Sequence, residues 1–132
     1  MKRIGISPRV DEISNRDERR DALDVRWAGI LWELGYLPLV LSTGVSDFNN
    51  YITELDLDGF ILSGGNDIGS VPQRDALERS ILESSKIRST PVLGICRGMQ
   101  FINSHCGGNL VRVHGHVATS HGLTGDWACQ HE

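Results

Sequence analysis

Apolar residues in this chain fall into two alternating kinds of pattern. Short unbroken runs at residues 3–7, 37–41, 59–62 and 92–95 are too brief for helices and are bounded by turn formers, so they predict buried strands. Between them lie stripes spaced by three and four. Leu23, Trp27, Ile30, Leu31 and Leu34 predict a helix over residues 17–34, with Gly35 where a left-handed cap closes it. A short helix is expected to end near Leu55, after a polar connection. A longer one over residues 74–87 rests on Ala76, Leu77, Ile81 and Ile87, and a last one covers residues 98–105. Pro8, Pro38, Pro91 and the Gly107-Gly108 pair punctuate the series. Residues 109–113 read as extended, and from His114 onward the pattern fades.

Strands alternating with helices argue for an α/β domain, a flavodoxin-like parallel sheet with helices on both faces, over residues 1–132. Right-handed crossovers bring every strand's C-terminal end to one edge, where sites in open α/β sheets lie. The loops after Leu62 and after Ile95 both fall there.

Composition narrows the class. The chain is 39% hydrophobic and 23% charged, with a net charge of −4. That is an ordinary globular mix, without the basic excess expected of a nucleic-acid or anionic-membrane binder. Three cysteines do not make a disulfide framework and fit a reducing compartment. The N-terminus lacks the apolar run of a signal peptide, and no segment approaches a membrane span, so a cytoplasmic location is expected.

Candidate chemistry centres on Gly94-Ile95-Cys96-Arg97-Gly98. A residue on a sharp strand-to-helix turn is pushed toward solvent, and small neighbours let the backbone pack tightly around it. Cysteine there is intrinsically nucleophilic, and the positive end of the following helix favours its thiolate. The backbone N–H of Arg97 would face the oxygen of an attacked carbonyl. Gly64-Gly65, lacking side chains, would bring a second N–H close. The competing reading is a buried cysteine that only packs.

Taken together, Leu62-Ser63-Gly64-Gly65-Asn66-Asp67, Arg74-Asp75 with Glu78, Gly94-Ile95-Cys96-Arg97-Gly98-Met99-Gln100 and Gly107-Gly108-Asn109-Leu110 resemble the class I glutamine amidotransferase superfamily. More narrowly they resemble its γ-glutamyl hydrolase (peptidase C26) branch. The likeness covers about residues 1–121. The short connection from Asp67 to Arg74 is similar to that of bacterial γ-glutamyl-CDP-amidate hydrolases, which act in capsule phosphoramidate synthesis. The resemblance implies a cysteine-dependent hydrolase of a γ-glutamyl amide. Cys96 would form a thioester, the N–H groups of Gly65 and Arg97 would hold the oxyanion, and Gly64, Asn66 and Gln100 would shape the γ-glutamyl pocket. It implies no metal or organic cofactor. The alternatives are a glutaminase-type module passing ammonia to a partner synthase, or an inactive truncated fragment.

The family's triad adds a His and a Glu well downstream of the cysteine. Here Cys96 lies 36 residues before the end of the sequence, and His114, His116 and His121 do not form that motif. Three expectations follow: a truncated chain lacking the later strands, a site completed across a dimer, or His131 as a substitute base. Truncation is favoured, and with it weak activity and self-association through an exposed sheet edge.

Three further features carry less. His114, His116, His121, Cys129 and His131 match no compact zinc spacing and read first as surface histidines. Asp75 and Glu78 fit a solvated first helical turn that complements the helix dipole. Residues 16–26 read as a mixed-charge helix face, and Trp32 as a side chain facing a partner.

Overall fold

The computed structural model describes residues 1–122 and 130–131, the last two and residues 121–122 as backbone alone. In chain order the elements are β1 (Lys2–Ser7), β2 (Arg9–Glu12), β3 (Arg19–Ala22), α1 (Arg26–Glu33), β4 (Tyr36–Val40), α2 (Phe48–Leu55), β5 (Gly59–Leu62), α3 (Pro72–Arg88), β6 (Val92–Gly94) and α4 (Arg97–His105), then β7 (His121–Gly122) and β8 (Gln130–His131). The four predicted apolar runs become β1, β4, β5 and β6. They form one parallel sheet in the order β4-β1-β5-β6, the flavodoxin-like opening order.

Strand periodicity sorts side chains between two cores. On one face Phe60 and Leu62 of β5 meet Ile52 of α2, Leu77 and Ile81 of α3 and Phe101 of α4. On the other, Ile6 and Ile61 meet Leu31 of α1, with Trp27 and Ile95 packed alongside. Burying each such aliphatic side chain contributes about 1.5–3 kcal/mol. The second face is the thinner one. Leu93 on β6 is 54% exposed, and a cavity of about 320 Å³ opens there among Ile4, Leu31, Leu34, Ile61, Val92 and Leu93. Among the described strands, β6 is paired on one side only.

The structure departs from the sequence expectation most between residues 8 and 26. The predicted helix begins at Arg26 rather than at residue 17. Before it, β2 and β3 form an antiparallel hairpin with Glu12 opposite Arg19 and Asp11 opposite Arg20. The charge run that reads as a helix face supplies cross-strand partners instead. The Arg19 guanidinium lies 3.7 Å from Glu12. Asp24 then turns the chain into α1 by accepting the Arg26 N–H at 2.9 Å. Within that helix only Leu31 is buried, and Ile30, Trp32 and Leu34 are exposed. Gly35 adopts the expected positive φ, +81°.

Residues 109–113 form no strand. On α3, Ile87 is exposed while Arg74 and Glu78 are fully buried. Among the described residues no helix is long and apolar enough to cross a membrane.

Candidate active site

β6 ends at Gly94 and α4 starts at Arg97, so the chain reverses direction within two residues. Cys96 takes the turn with φ 55° and ψ −110°, a conformation that glycine tolerates and other residues adopt at a cost of about 1–3 kcal/mol. Surrounding bonds hold it there. Ile95 N–H donates to Leu62 O at 2.9 Å, Gly98 N–H to Ile95 O at 2.9 Å, and Gln100 N–H to Cys96 O at 3.1 Å. The flanking glycines are required by close approach. A Cβ on Gly98 would stand 2.0 Å from Leu62 O, and one on Gly94 2.7 Å from the Gly98 carbonyl. The side chain of Cys96 is exposed and free, so the packing-only reading of this cysteine does not hold.

The facing loop follows β5. A Cβ on Gly64 would lie 3.5 Å from the Cys96 Cβ and 3.9 Å from its Sγ, so the loop backbone and the thiol stand within van der Waals reach of each other. Gly65 has φ +80° and Asn66 φ +59°. This backbone is held from behind by Arg74. Its guanidinium donates to Ser63 O at 2.7 Å, to Gly64 O at 3.1 Å and also to Gly65 O, with Asn66 Oδ1 at 3.1 Å.

Arg74 belongs to a buried ion cluster. Glu78 Oε1 accepts from Arg74 Nε at 3.2 Å and from Ser7 Oγ at 2.6 Å. Glu78 Oε2 accepts from Arg97, whose other terminal nitrogen donates to Asp75. The Arg97 guanidinium also lies 5.4 Å from the centre of the Phe101 ring. Burial pushes the Arg74 pKa below its ordinary value, and the Glu78 charge opposes that shift. Two arginines and two carboxylates balance, which is the condition under which buried charges persist. Asp75 and Glu78 are therefore not a solvated helix start. Helical spacing carries Glu78 one turn beyond Arg74 to the same inward face, and the sheet brings Arg97 to meet it.

Beside the loop lies a cleft of about 190 Å³ walled by Arg9, Leu23, Asp24, Trp27, Gly64 and Gly65. Opposite charges stand on its rim. The Arg26 guanidinium holds the Asp24 carboxyl down at about 2, so it is ionised at neutral pH. Arg9 Nε bonds Asp11 at 2.7 Å, and its side chain lies against Gly65. A separate cleft of about 200 Å³ sits on the hairpin among Arg19, Asp21, Thr43 and Gln73, away from the thiol.

Of the predicted site residues, Cys96, Gly64, Gly65 and Arg97 come together. Gln100 lies one turn into α4 and is exposed. The Asn66 side chain is engaged elsewhere. Its Oδ1 accepts from Val10 N–H at 2.9 Å and its Nδ2 donates to Val10 O at 3.0 Å, which docks β2 onto the loop. Arg9, Asp24, Trp27 and Arg74 carry no site role in the sequence pattern. They converge only through the hairpin and the sheet, and no local signal marks them. The backbone of His131 pairs with that of His121. Trp127, Cys129 and Glu132 lie outside the described residues. Among the described residues no group of three or more His, Cys, Asp or Glu side chains is placed to hold a metal ion.

A cysteine elbow at the C-terminal edge of a parallel sheet, facing a glycine loop beside the topological switch point, is the arrangement of class I glutamine amidotransferase-like domains. Comparison with known proteins narrows this. The Peptidase C26 family pattern matches residues 4–128, and the chain belongs to that family. A gamma-glutamyl-CDP-amidate hydrolase of Campylobacter jejuni is 33% identical over 115 residues, covering 77% of this chain and 56% of that protein. A glutamine amidotransferase-like protein of Rickettsia prowazekii is 27% identical over 131 residues, covering 83% and 45%. A glutamine-hydrolyzing GMP synthase of Blochmanniella floridana is 32% identical over 81 residues, covering 61% and 14%. The chain spans about half the length of the first two relatives.

Proposed function

We propose that this chain carries the nucleophile half of a γ-glutamyl amide hydrolase. The observation that supports it most is the strained, exposed Cys96 set against Gly64, with the loop backbone tied down behind it. In the proposed reaction the Cys96 thiolate adds to the γ-carbonyl carbon, and the C=O electrons move to oxygen. The N–H groups of Gly65 and Arg97 hold that oxyanion; Arg97 is the first residue of α4, so its N–H has no intrahelical acceptor. The oxyanion electrons then re-form the C=O as the C–N bond breaks, the amine leaves with a proton taken from solvent water, and a γ-glutamyl thioester remains. Water adds to the thioester, glutamate departs and the thiol is restored. Gly64 and Gln100 border the γ-glutamyl group. Asn66 serves substrate binding indirectly, by fixing the hairpin that walls the cleft.

Among the described residues no histidine lines that cleft. Positioned acid–base help contributes roughly a hundredfold to ten-thousandfold, so slow turnover is expected of the chain as it stands. Two free, exposed thiols, Cys96 and Cys106, suit a reducing compartment, and we assign the protein to the cytoplasm on that ground. The Campylobacter jejuni relative supports γ-glutamyl-CDP-amidate as the substrate, and with that substrate we propose a place in capsule phosphoramidate synthesis. The likeness to a glutamine-hydrolyzing GMP synthase supports a second reading, in which glutamine is the substrate and its ammonia passes to a synthase.

A diazo-ketone analogue of glutamine tests the shared core of both readings. Cys96 alone should be labelled, as read by peptide mass; equal labelling of Cys106 and Cys129 would remove the support. Release of glutamate from γ-glutamyl-CDP-amidate in preference to glutamine then selects the first reading, and the reverse preference the second.

A further inference from the structure

We propose that Arg74 is a positioning residue for the oxyanion pocket, and that Glu78 couples it to Arg97 so that one buried ion cluster sets both halves of that pocket. The proposal rests on the γ-glutamyl hydrolase reading of Cys96.

In a trans peptide the C=O of one residue and the N–H of the next point in opposite directions. Arg74 draws the carbonyls of Ser63, Gly64 and Gly65 to one guanidinium. The N–H groups of Gly64, Gly65 and Asn66 must therefore point away from it, and Gly64 is the residue that packs on Cys96. Three successive N–H groups turned to one side form a concavity suited to an anion. A cation bonded to the carbonyl end of a peptide also polarises it, which strengthens the N–H at the far end as a donor.

The other donor belongs to Arg97. Its backbone starts α4, while its side chain runs inward to Glu78 and Asp75. Glu78 uses one oxygen for Arg74 and the other for Arg97. A shift of either arginine is thus transmitted through a single carboxylate to the opposite donor. An ion cluster retained for stability alone would be replaceable by packed apolar side chains. The placement of this one, between the two loops that face the thiol, is what a positioning device requires.

The experiment compares two reagents on the full chain. The diazo-ketone glutamine analogue alkylates a thiol as its protonated diazo carbon loses N₂ and forms the C–S bond, with its ketone oxygen seated in the oxyanion pocket. Iodoacetamide alkylates the same sulfur by direct displacement of iodide and needs no such pocket. Arg74→Lys keeps the charge beside Glu78 but cannot span three carbonyls with a planar fork. The expected result is a fall of roughly tenfold to a hundredfold in the maximal diazo-ketone rate at Cys96. The half-saturating concentration should change little, and iodoacetamide labelling should stay within about twofold of the parent chain, since it bypasses the pocket.

Glu78→Gln, which keeps the shape and removes the charge, should lower the same rate with the same selectivity, and it carries the test if Arg74→Lys loses its folded spectrum. Equal slowing of both reagents would mean that the cluster only holds the fold and would overturn the proposal. So would unchanged diazo-ketone rates in the folded variants. A parent chain that iodoacetamide labels at Cys96 but the diazo-ketone does not would instead overturn the γ-glutamyl reading, and the proposal with it.

Discussion

Replacing Cys96 by glycine and, separately, by alanine removes the thiol in both cases, so the two variants differ only in backbone freedom. At φ 55° and ψ −110° a residue with a Cβ stores about 1–3 kcal/mol of strain that glycine releases. Glycine also gains about 0.5–1 kcal/mol of unfolded-state freedom over alanine, which acts the other way. The side chain at this position is exposed, so its loss changes packing little. The net expectation is that Cys96→Gly is more stable than Cys96→Ala by about 0.5–2 kcal/mol. For a domain of this size that is a difference of roughly 2–8 °C in Tm. Thermal and urea unfolding of the two variants, followed by circular dichroism, measures it directly. Equal stability, or a less stable glycine variant, would show that the elbow is not strained at Cys96 and would remove the physical basis for its exposure.

Other outcomes follow from neighbouring features. Gly98→Ala puts a Cβ 2.0 Å from Leu62 O, which is backbone that cannot yield. It should cost at least about 3 kcal/mol in urea unfolding or abolish folding, whereas Gly29→Ala, which meets nothing within 4 Å, should fold normally. The Asp24 carboxyl should titrate by NMR at about 2 rather than 3.8, and Arg26→Ala should return it toward 3.8. A depressed carboxylate pKa contributes stability that is present above its unfolded value and lost as pH falls through the folded one. Any effect of this exposed pair therefore lies between about pH 4 and pH 2. The edge of β6 that no other described strand pairs and the apolar cavity beside Leu93 should make the chain self-associate as concentration rises. A stable monomer in light scattering at high concentration would refute that.

The strands of the main sheet were legible because each is a short apolar run bounded by turn formers, although only β5 is buried along its whole length. The elbow was legible for a similar local reason. Glycines at 94 and 98 around a cysteine have meaning only where a turn is tight, and the 2.0 Å approach of Gly98 to Leu62 O is that meaning. The hairpin was not legible. Its strands have no apolar alternation, and Glu12 and Arg19 become partners only when the chain folds back on itself. Nor was the ion cluster. Arg74, Asp75 and Glu78 look like any polar first turn of a helix. Their burial depends on Ser7 of β1 and Arg97 of α4 arriving from distant parts of the chain. Local periodicity and turn chemistry determine which segments become strands and where a reactive thiol can stand. Whether a charged side chain meets water or a buried partner depends on long-range contacts, and here those contacts join the two loops that face Cys96.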